Sequence, residues 1–392
     1  MRPRRSLTAR GAGALVAAVS CAVTANIVGA PILLYVAVLL LVVTALAAVV
    51  VHVPRRTGSV SRQIDSDLLF VGELSHVAVR FELRAVRAPH GLWRDTLPTA
   101  VVGSATGEYP PDAPTLSYAI SGARRGVWQI GPLLLRTTDP FGLAQREQAF
   151  GGRRAVTVVP AIVALTPLAA RAGSHGGTAR ASSSRLGQGS DNLSPRRYAS
   201  GDSMRRIHWR ATAHRGHLMV RQEEEESNPD ALVVLDRSAR RWSSEDPSFE
   251  AAVSLCASAA LRLSMDGYTV GVVDSAGAGL GVLSGHEDDR DDLLVALASV
   301  FPGGETRELE ALLGDAPPGP LIYITGRIDE EDAALLRPTG AAAPLLFATD
   351  PLPGAEDAAR AHGWSTAALG ADIADAWSDA VTAHSGADDA TR

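Results

Sequence analysis

Two uninterrupted apolar runs open the chain, and nothing downstream restricts its folding as severely. Gly11 to Val28 is essentially uncharged, and Pro31 to Val53, PILLYVAVLLLVVTALAAVVVHV, is uncharged as well. As a helix the second run is roughly 34 Å long, against a hydrocarbon core of about 30 Å. Asn26 to Pro31 holds Asn, Gly and Pro, which suit a tight turn between spans. The pattern predicts a transmembrane helical hairpin over residues 11–53. Arg2, Arg4, Arg5 and Arg10 precede the first span, and Arg55, Arg56 and Arg62 follow the second. That bias places the basic N-terminus, residues 1–10, and the domains after the hairpin in the cytoplasm, as a multi-pass protein of the cell membrane. Val28-Gly29-Ala30 also has the form of a signal-peptidase site. Cleavage there would leave the second run as sole anchor with the same orientation. Two buried helices of a soluble domain are the competing reading.

The remaining length exceeds one ordinary core and predicts two soluble domains. A net charge of −6 argues against general affinity for nucleic acid. All 37 basic residues are arginine. Arginine is thus the default cation here and does not by itself signal bidentate recognition. Cys21 and Cys256 lack CxxC spacing and read as small core residues.

Residues 64–162 alternate apolar and polar side chains in short segments such as HVAVRFELRAV, TLSYAI and AVTVVP. Period-two alternation predicts half-buried strands in an all-β sandwich-like module. Within RRGVWQIGPLLLRTTDPFGL, Gly126 and Gly131-Pro132 punctuate a strand pair. Asp139-Pro140-Phe141-Gly142 forms a turn whose Phe141 and Leu143 are expected to staple it to the core. Residues 171–190 form a Gly/Ser-rich loop.

Residues 191–230 contain RRYASGDSMRRIHWRATAHRGHLMVR. Asp202 after Gly201 is a candidate N-cap for a short helix from Ser203 to about His214. At 100° per residue Met204, Ile207 and Ala211 share an apolar arc, while Arg205, Arg206, Trp209 and Arg210 share a cationic one. The strand expected in HLMVRQEEEE puts Glu223 and Glu225 on one face and Glu224 and Glu226 on the other, close enough in sequence to balance the arginines. His208, His214 and His217 match no zinc spacing. A clasp onto the acidic strand and a protein-docking face built from Arg197, Tyr198, Gly201, Asp202, Arg205, Arg206, His208, Trp209 and Arg210 are the two readings that survive.

Residues 231–385 alternate strands and helices: ALVVLD, a helix from Phe249 to Met265, YTVGVVD, DDLLVALASVF, LIYITG, a helix from Glu330 to Leu336, PLLFATD, and a helix near Ile373 to Ala383. Such alternation predicts a doubly wound α/β domain with a parallel sheet, followed by a disordered tail at 386–392. Ligands of such sheets bind beyond the strands' carboxyl ends, where Asp236 and Ser238 should lie. No GxGxxG follows the first strand, and GxxxxGK[ST] and GxSxG are absent.

Together the hairpin, the β module, the RRYASGDSMRRIHWRATAHRGHLMVR stretch and the α/β alternation resemble the bacterial family called domain of unknown function 58. The resemblance implies a membrane-anchored protein with a domain similar to von Willebrand factor type A, often encoded beside a MoxR-type AAA ATPase, with no enzymatic activity established for the family. The similar domains hold Mg²⁺ with an Asp-x-Ser-x-Ser strand tip, a later Thr and an Asp after a further strand. Asp236, Ser238 and Thr306 match. The second Ser position holds Arg240, however, and LIYITG ends in Thr325-Gly326 where the Asp would fall. Asp329 could substitute only if the loop after Gly326 folded back. Asp236 is therefore expected to pair with Arg240 or cap the next helix rather than hold a metal, and no cofactor is expected.

The resulting expectation is a non-enzymatic scaffold or adaptor that presents its α/β domain to protein partners, a MoxR-type AAA ATPase among them, and takes neither nucleic acid nor a small-molecule substrate. The alternatives are a divalent-metal-dependent adhesion module and a hydrolase using Asp202, His208 and Asp236.

Overall fold

A computed structural model describes residues 7–52, 57–84, 91–109, 115–168, 193–197, 219–223, 230–243, 246–303, 319–338 and 340–390. The chain divides into two compact units, residues 1–162 with 291–301 and residues 163–290 with 302–392.

In the first unit, α1 (Ala9–Val28) and α2 (Pro31–His52) form the antiparallel hairpin. Gly29 ends α1 at φ 68°, a left-handed conformation that glycine adopts without Cβ clash, and its N–H donates to the Ala25 carbonyl. Small side chains are buried along the hairpin, Ala18 and Ala25 on α1 and Ala37 and Thr44 on α2. Their outer faces are apolar and bare: Ile27 is 79% exposed and Leu39 61%. Both helices are long and apolar enough to cross a membrane. Cys21 is half-buried on α1 rather than a core residue.

The β module begins at Thr57, upstream of residue 64. One sheet has the order β1-β3-β7-β5: Thr57–Ile64, Leu74–Arg84, Thr115–Gly122 and Val101–Gly103. A second has the order β10-β9-β4-β6: Gln145–Phe150, Leu133–Thr138, Gly91–Asp95 and Thr106–Glu108. A third, β2-β11-β8, joins Leu68–Phe70, Arg154–Val159 and Gly126–Ile130. Alternation explains the core: Leu116, Tyr118 and Ile120 of β7 and Leu133 and Leu135 of β9 point inward, together with Val77, Val79, Trp93 and Val156. β8 and β9 do not pair with each other, contrary to the expectation at Gly131-Pro132. They belong to different sheets, so this glycine-proline step turns a corner between sheets.

A polar node sits inside this module. Arg62 donates to both oxygens of Asp95, from Nε at 2.8 Å and Nη2 at 2.9 Å, and Tyr118 donates to Asp95 Oδ2 at 2.8 Å. Arg62 and Asp95 are 6% and 3% exposed, so the bidentate geometry and the added tyrosine bond are what make burial of these charges tolerable.

The second unit contains a six-stranded sheet of order β16-β15-β14-β17-β18-β19, formed by Gly279–Leu283, Val270–Asp274, Ala231–Leu235, Pro320–Ile328, Ala343–Pro351 and Ser365–Ala368. Only β16 runs antiparallel to its neighbour. Its helices are α3 (Ser248–Met265), α5 (Glu330–Leu335), α6 (Ala355–Ala361) and α7 (Ile373–Ala390); α4 (Asp289–Ala298) lies between β16 and β17 in the chain. Leu232, Val234, Leu321, Tyr323 and Leu346 meet Ala333, Ala359 and Trp364 on one face. On the other, Phe347 stacks on Trp377 of α7 at 5.9 Å, and buried Cys256 lies on α3. The elements β16, β19 and α6 were not read from the sequence, and α7 continues helical to Ala390 where a tail was expected.

β12 (Leu193–Arg197) and β13 (Met219–Glu223) pair antiparallel, with Arg197 opposite Met219. The RRYASGDSMRRIHWRATAHRGHLMVR stretch therefore leaves and re-enters one ribbon at adjacent positions. The expected helix from Ser203 to His214 lies outside the described residues.

Candidate functional site

The chain runs from β14 outward through β15 and β16, then crosses back to β17 on the other side of β14. The carboxyl ends of β14 and β17 thus form the topological switch point where open α/β sheets bind ligands. Asp236 and Ser238 follow β14 and Thr325 and Gly326 end the core of β17, so the strand order itself brings them together.

Asp236 is completely buried, and both oxygens of its carboxylate are engaged. Its Oδ1 accepts the Ser238 N–H at 2.9 Å. Its Oδ2 accepts the Tyr323 hydroxyl at 2.8 Å and the Thr325 hydroxyl at 3.2 Å, and lies 3.5 Å from Arg241 Nε. The Asp236 carbonyl accepts the Trp242 indole N–H at 2.6 Å. The partner is Arg241, not Arg240. A turn in which the Arg241 N–H donates to the Ser238 carbonyl swings Arg240 outward and lays Arg241 over the sheet. Arg241 also binds the Asp332 carboxylate on α5, so one guanidinium bridges two aspartates. Arg237 repeats the arrangement next door, with its Nε 2.9 Å from Oδ2 of Asp274 at the tip of β15. Asp274 Oδ1 in turn accepts the N–H groups of Ala276 and Ala278.

Electrostatics follow from this packing. Burial, and then the Asp236 charge beside it, hold the Tyr323 hydroxyl well above the usual phenol range. Burial works against the Arg241 charge, but the bond to Asp332 and the fields of Asp332 and Asp236 outweigh it and raise its pKa. The Arg241 bond holds Asp332 below the ordinary carboxylate range despite partial burial.

Among the described residues the donors around Asp236 are arranged about a guanidinium, not about a metal cation. Mg²⁺ requires an octahedron of oxygens with free lone pairs. Asp236 instead faces N–H and O–H donors and a guanidinium that supplies the positive charge. Gly326 offers no ligand and no room for one: a Cβ there would meet the Arg241 carbonyl oxygen at 2.2 Å and Trp242 Cδ2 at 2.9 Å. Asp329 does not fold back. It caps α5, its Oδ1 accepting the Asp332 N–H at 2.8 Å. Ser238 Oγ is buried without a hydrogen-bond partner among the described residues. Thr306 lies outside those residues, and among them no cluster of three or more His, Cys, Asp or Glu side chains is arranged to hold a metal.

Of the other sequence-derived candidates, Arg197 is placed by backbone pairing at the end of β12. Tyr198, Gly201, Asp202, Arg205, Arg206, His208, Trp209 and Arg210 lie outside the described residues. Sequence reasoning missed Tyr323, Arg241, Trp242 and Asp332. A tyrosine inside the buried strand LIYITG was the available signal, because a buried phenol needs a hydrogen-bond partner.

No curated protein matches the chain. Residues 194–307, which take in the β12–β13 ribbon and the Asp236 loop, match the family described as "Protein of unknown function DUF58".

Proposed function

We propose that this chain is a membrane-anchored, non-enzymatic scaffold whose α/β domain engages a protein partner. The observation that carries the reading is the enclosure of Asp236. The carboxylate at the switch point, where a catalyst or a metal would be expected, is wholly buried and locked by Arg241, Tyr323, Thr325 and the Ser238 amide. Three donors crowd its Oδ2, and its complete burial keeps substrate and hydrated cations away from it. A hydrolase built on Asp236 is disfavoured for the same reason, and so is a metal-dependent adhesion module. The apolar hairpin supports membrane anchoring, and the arginines flanking it support a cytoplasmic α/β domain. The docking face we assign to Arg206, His208 and Trp209, which lie in the sequence between β12 and β13. A MoxR-type AAA ATPase is the first partner to test, on the strength of the family resemblance alone.

The test uses the full chain in detergent with a purified ATPase encoded beside it. Alanine at Arg206, His208 and Trp209 together should abolish complex formation while folding and membrane extraction stay unchanged. Undiminished complex formation would refute the docking face. Heat on adding Mg²⁺ to wild type that vanishes in Asp236→Asn would overturn the non-metal reading.

A further inference from the structure

The turn Asp139-Pro140-Phe141-Gly142 is the feature that neither the sequence reading nor the proposed function absorbs. Phe141 was expected to staple the loop to the core, yet it is 64% exposed. The loop that carries it is rigid. Asp139 is 4% exposed and accepts the Phe141 N–H at 2.8 Å and the Ala144 N–H at 2.5 Å, while the Gly142 N–H donates to the Asp139 carbonyl. Gly142 sits at φ 69°, which only glycine adopts readily. An aromatic ring is thus held outward by a turn that spends its polar groups on holding it there.

The position of this turn on the hairpin indicates what meets the ring. Thr8, the N-cap of α1, donates its hydroxyl to the Gly142 carbonyl and its N–H to the Leu143 carbonyl at 3.0 Å. At the far end of α2, Leu143 and Ala144 pack with Ala47, Ala48 and Val51. Ala47 lies about 8 Å along the helix from its last residue. The turn therefore grips both helices where their apolar runs begin and end, at the depth at which the second helix is still apolar. Arg10, exposed on the first turn of α1, lies close by: a Cβ on Gly142 would be 3.5 Å from its Nη1. An outward apolar ring beside a cation at this level matches the pairing of Phe with basic residues in contacts that dip into the headgroup boundary.

We propose that the 139–143 turn is a membrane-interface anchor, with Phe141 seated at the boundary of headgroups and acyl chains and Arg10 facing lipid phosphates. The anchor rests on the hairpin spanning a bilayer, as proposed above, and adds a second site of lipid contact, carried by the β module.

The experiment uses the full chain with Cys21→Ala, reconstituted in liposomes containing anionic lipid; Cys256 is buried and stays unlabelled. Phe141→Cys, Leu39→Cys and Ala149→Cys are each labelled with one environment-sensitive fluorophore. Lipids carry a nitroxide quencher either near the headgroup or deep in the acyl chain. The expected result is a blue shift and loss of intensity at position 141 with the shallow quencher, loss at position 39 with the deep one, and water-like emission at position 149. Quenching at 39 with water-like emission at 141 would overturn the interface anchor and leave the spanning hairpin intact. Unquenched emission at 39 would refute the hairpin reading itself, and the anchor with it.

Discussion

Gly326 lies so close under Arg241 that a Cβ on the glycine would come within 2.2 Å of the arginine's carbonyl oxygen. The contact fixes the loop from Ser238 to Trp242 on the end of β17, and the Arg327 N–H completes it by donating to the same carbonyl at 3.0 Å. Gly326→Ala is expected to cost about 1–3 kcal/mol by overpacking. Chemical denaturation of the detergent-solubilised chain measures it, and Gly326→Asp should unfold the domain rather than create a metal ligand.

Arg241 neutralises two carboxylates at once, and its removal strands Asp236 without a counter-charge. Arg241→Ala should destabilise the domain by about 3–5 kcal/mol, with Arg241→Lys recovering only part because a point charge cannot span both partners. Equilibrium unfolding monitored by tryptophan fluorescence gives both numbers.

The same bond sets an acid limb of stability. Arg241 depresses the pKa of Asp332 in the folded chain. The unfolded state therefore binds the proton more readily, so the contribution is complete above the ordinary carboxylate pKa and is lost as pH falls through the depressed value. Unfolding midpoints collected from neutral to acid pH should fall less steeply in Asp332→Asn than in the wild type. Equal slopes would remove Asp332 from the account.

Two tyrosines set an alkaline limb. Tyr118 and Tyr323 each donate to a buried aspartate, and burial followed by that charge raises both pKa values far above the phenol range. Their contribution is complete below the unfolded tyrosine pKa of about 10 and is lost as pH rises beyond it. Ultraviolet titration should show these two ionising last, together with unfolding. Tyr323→Phe should cost about 1–3 kcal/mol at neutral pH by leaving Asp236 one donor short.

Gly11 tests the seam between hairpin and β module. A Cβ there would lie 2.1 Å from the Leu143 carbonyl oxygen, so Gly11→Val should push the first turn of α1 off the 139–143 turn. Faster amide exchange at Leu143 and Ala144, with the rest of the β module unchanged, is the expected signature.

Much of the architecture was legible because burial writes a period into the chain. Alternation located β3, β7 and β11, and the charge-free runs located α1 and α2. Pairing partners were less legible: period two says which way a side chain points but not which strand lies beside it, so β8 and β9 looked like a pair. The short elements α6 and β19 carry no large apolar residue to announce them, and β16 is broken by two glycines. At the candidate site, the carboxyl-terminal tip of the strand ALVVLD pointed to Asp236, whereas the choice of Arg241 over Arg240 depended on a turn whose geometry no spacing encodes.

The seam also bears on what an anchor can transmit. The β module is tied to the start of α1 through Thr8 and to the end of α2 through Arg146, whose Nη1 donates to the His52 carbonyl at 2.9 Å. A body held at one point can swivel about its tether; a body held at two has a heading. With the hairpin in a bilayer, the β module would hold one compass bearing relative to the membrane plane. A tug applied there would reach the helices as torque rather than dissipate in a slack joint.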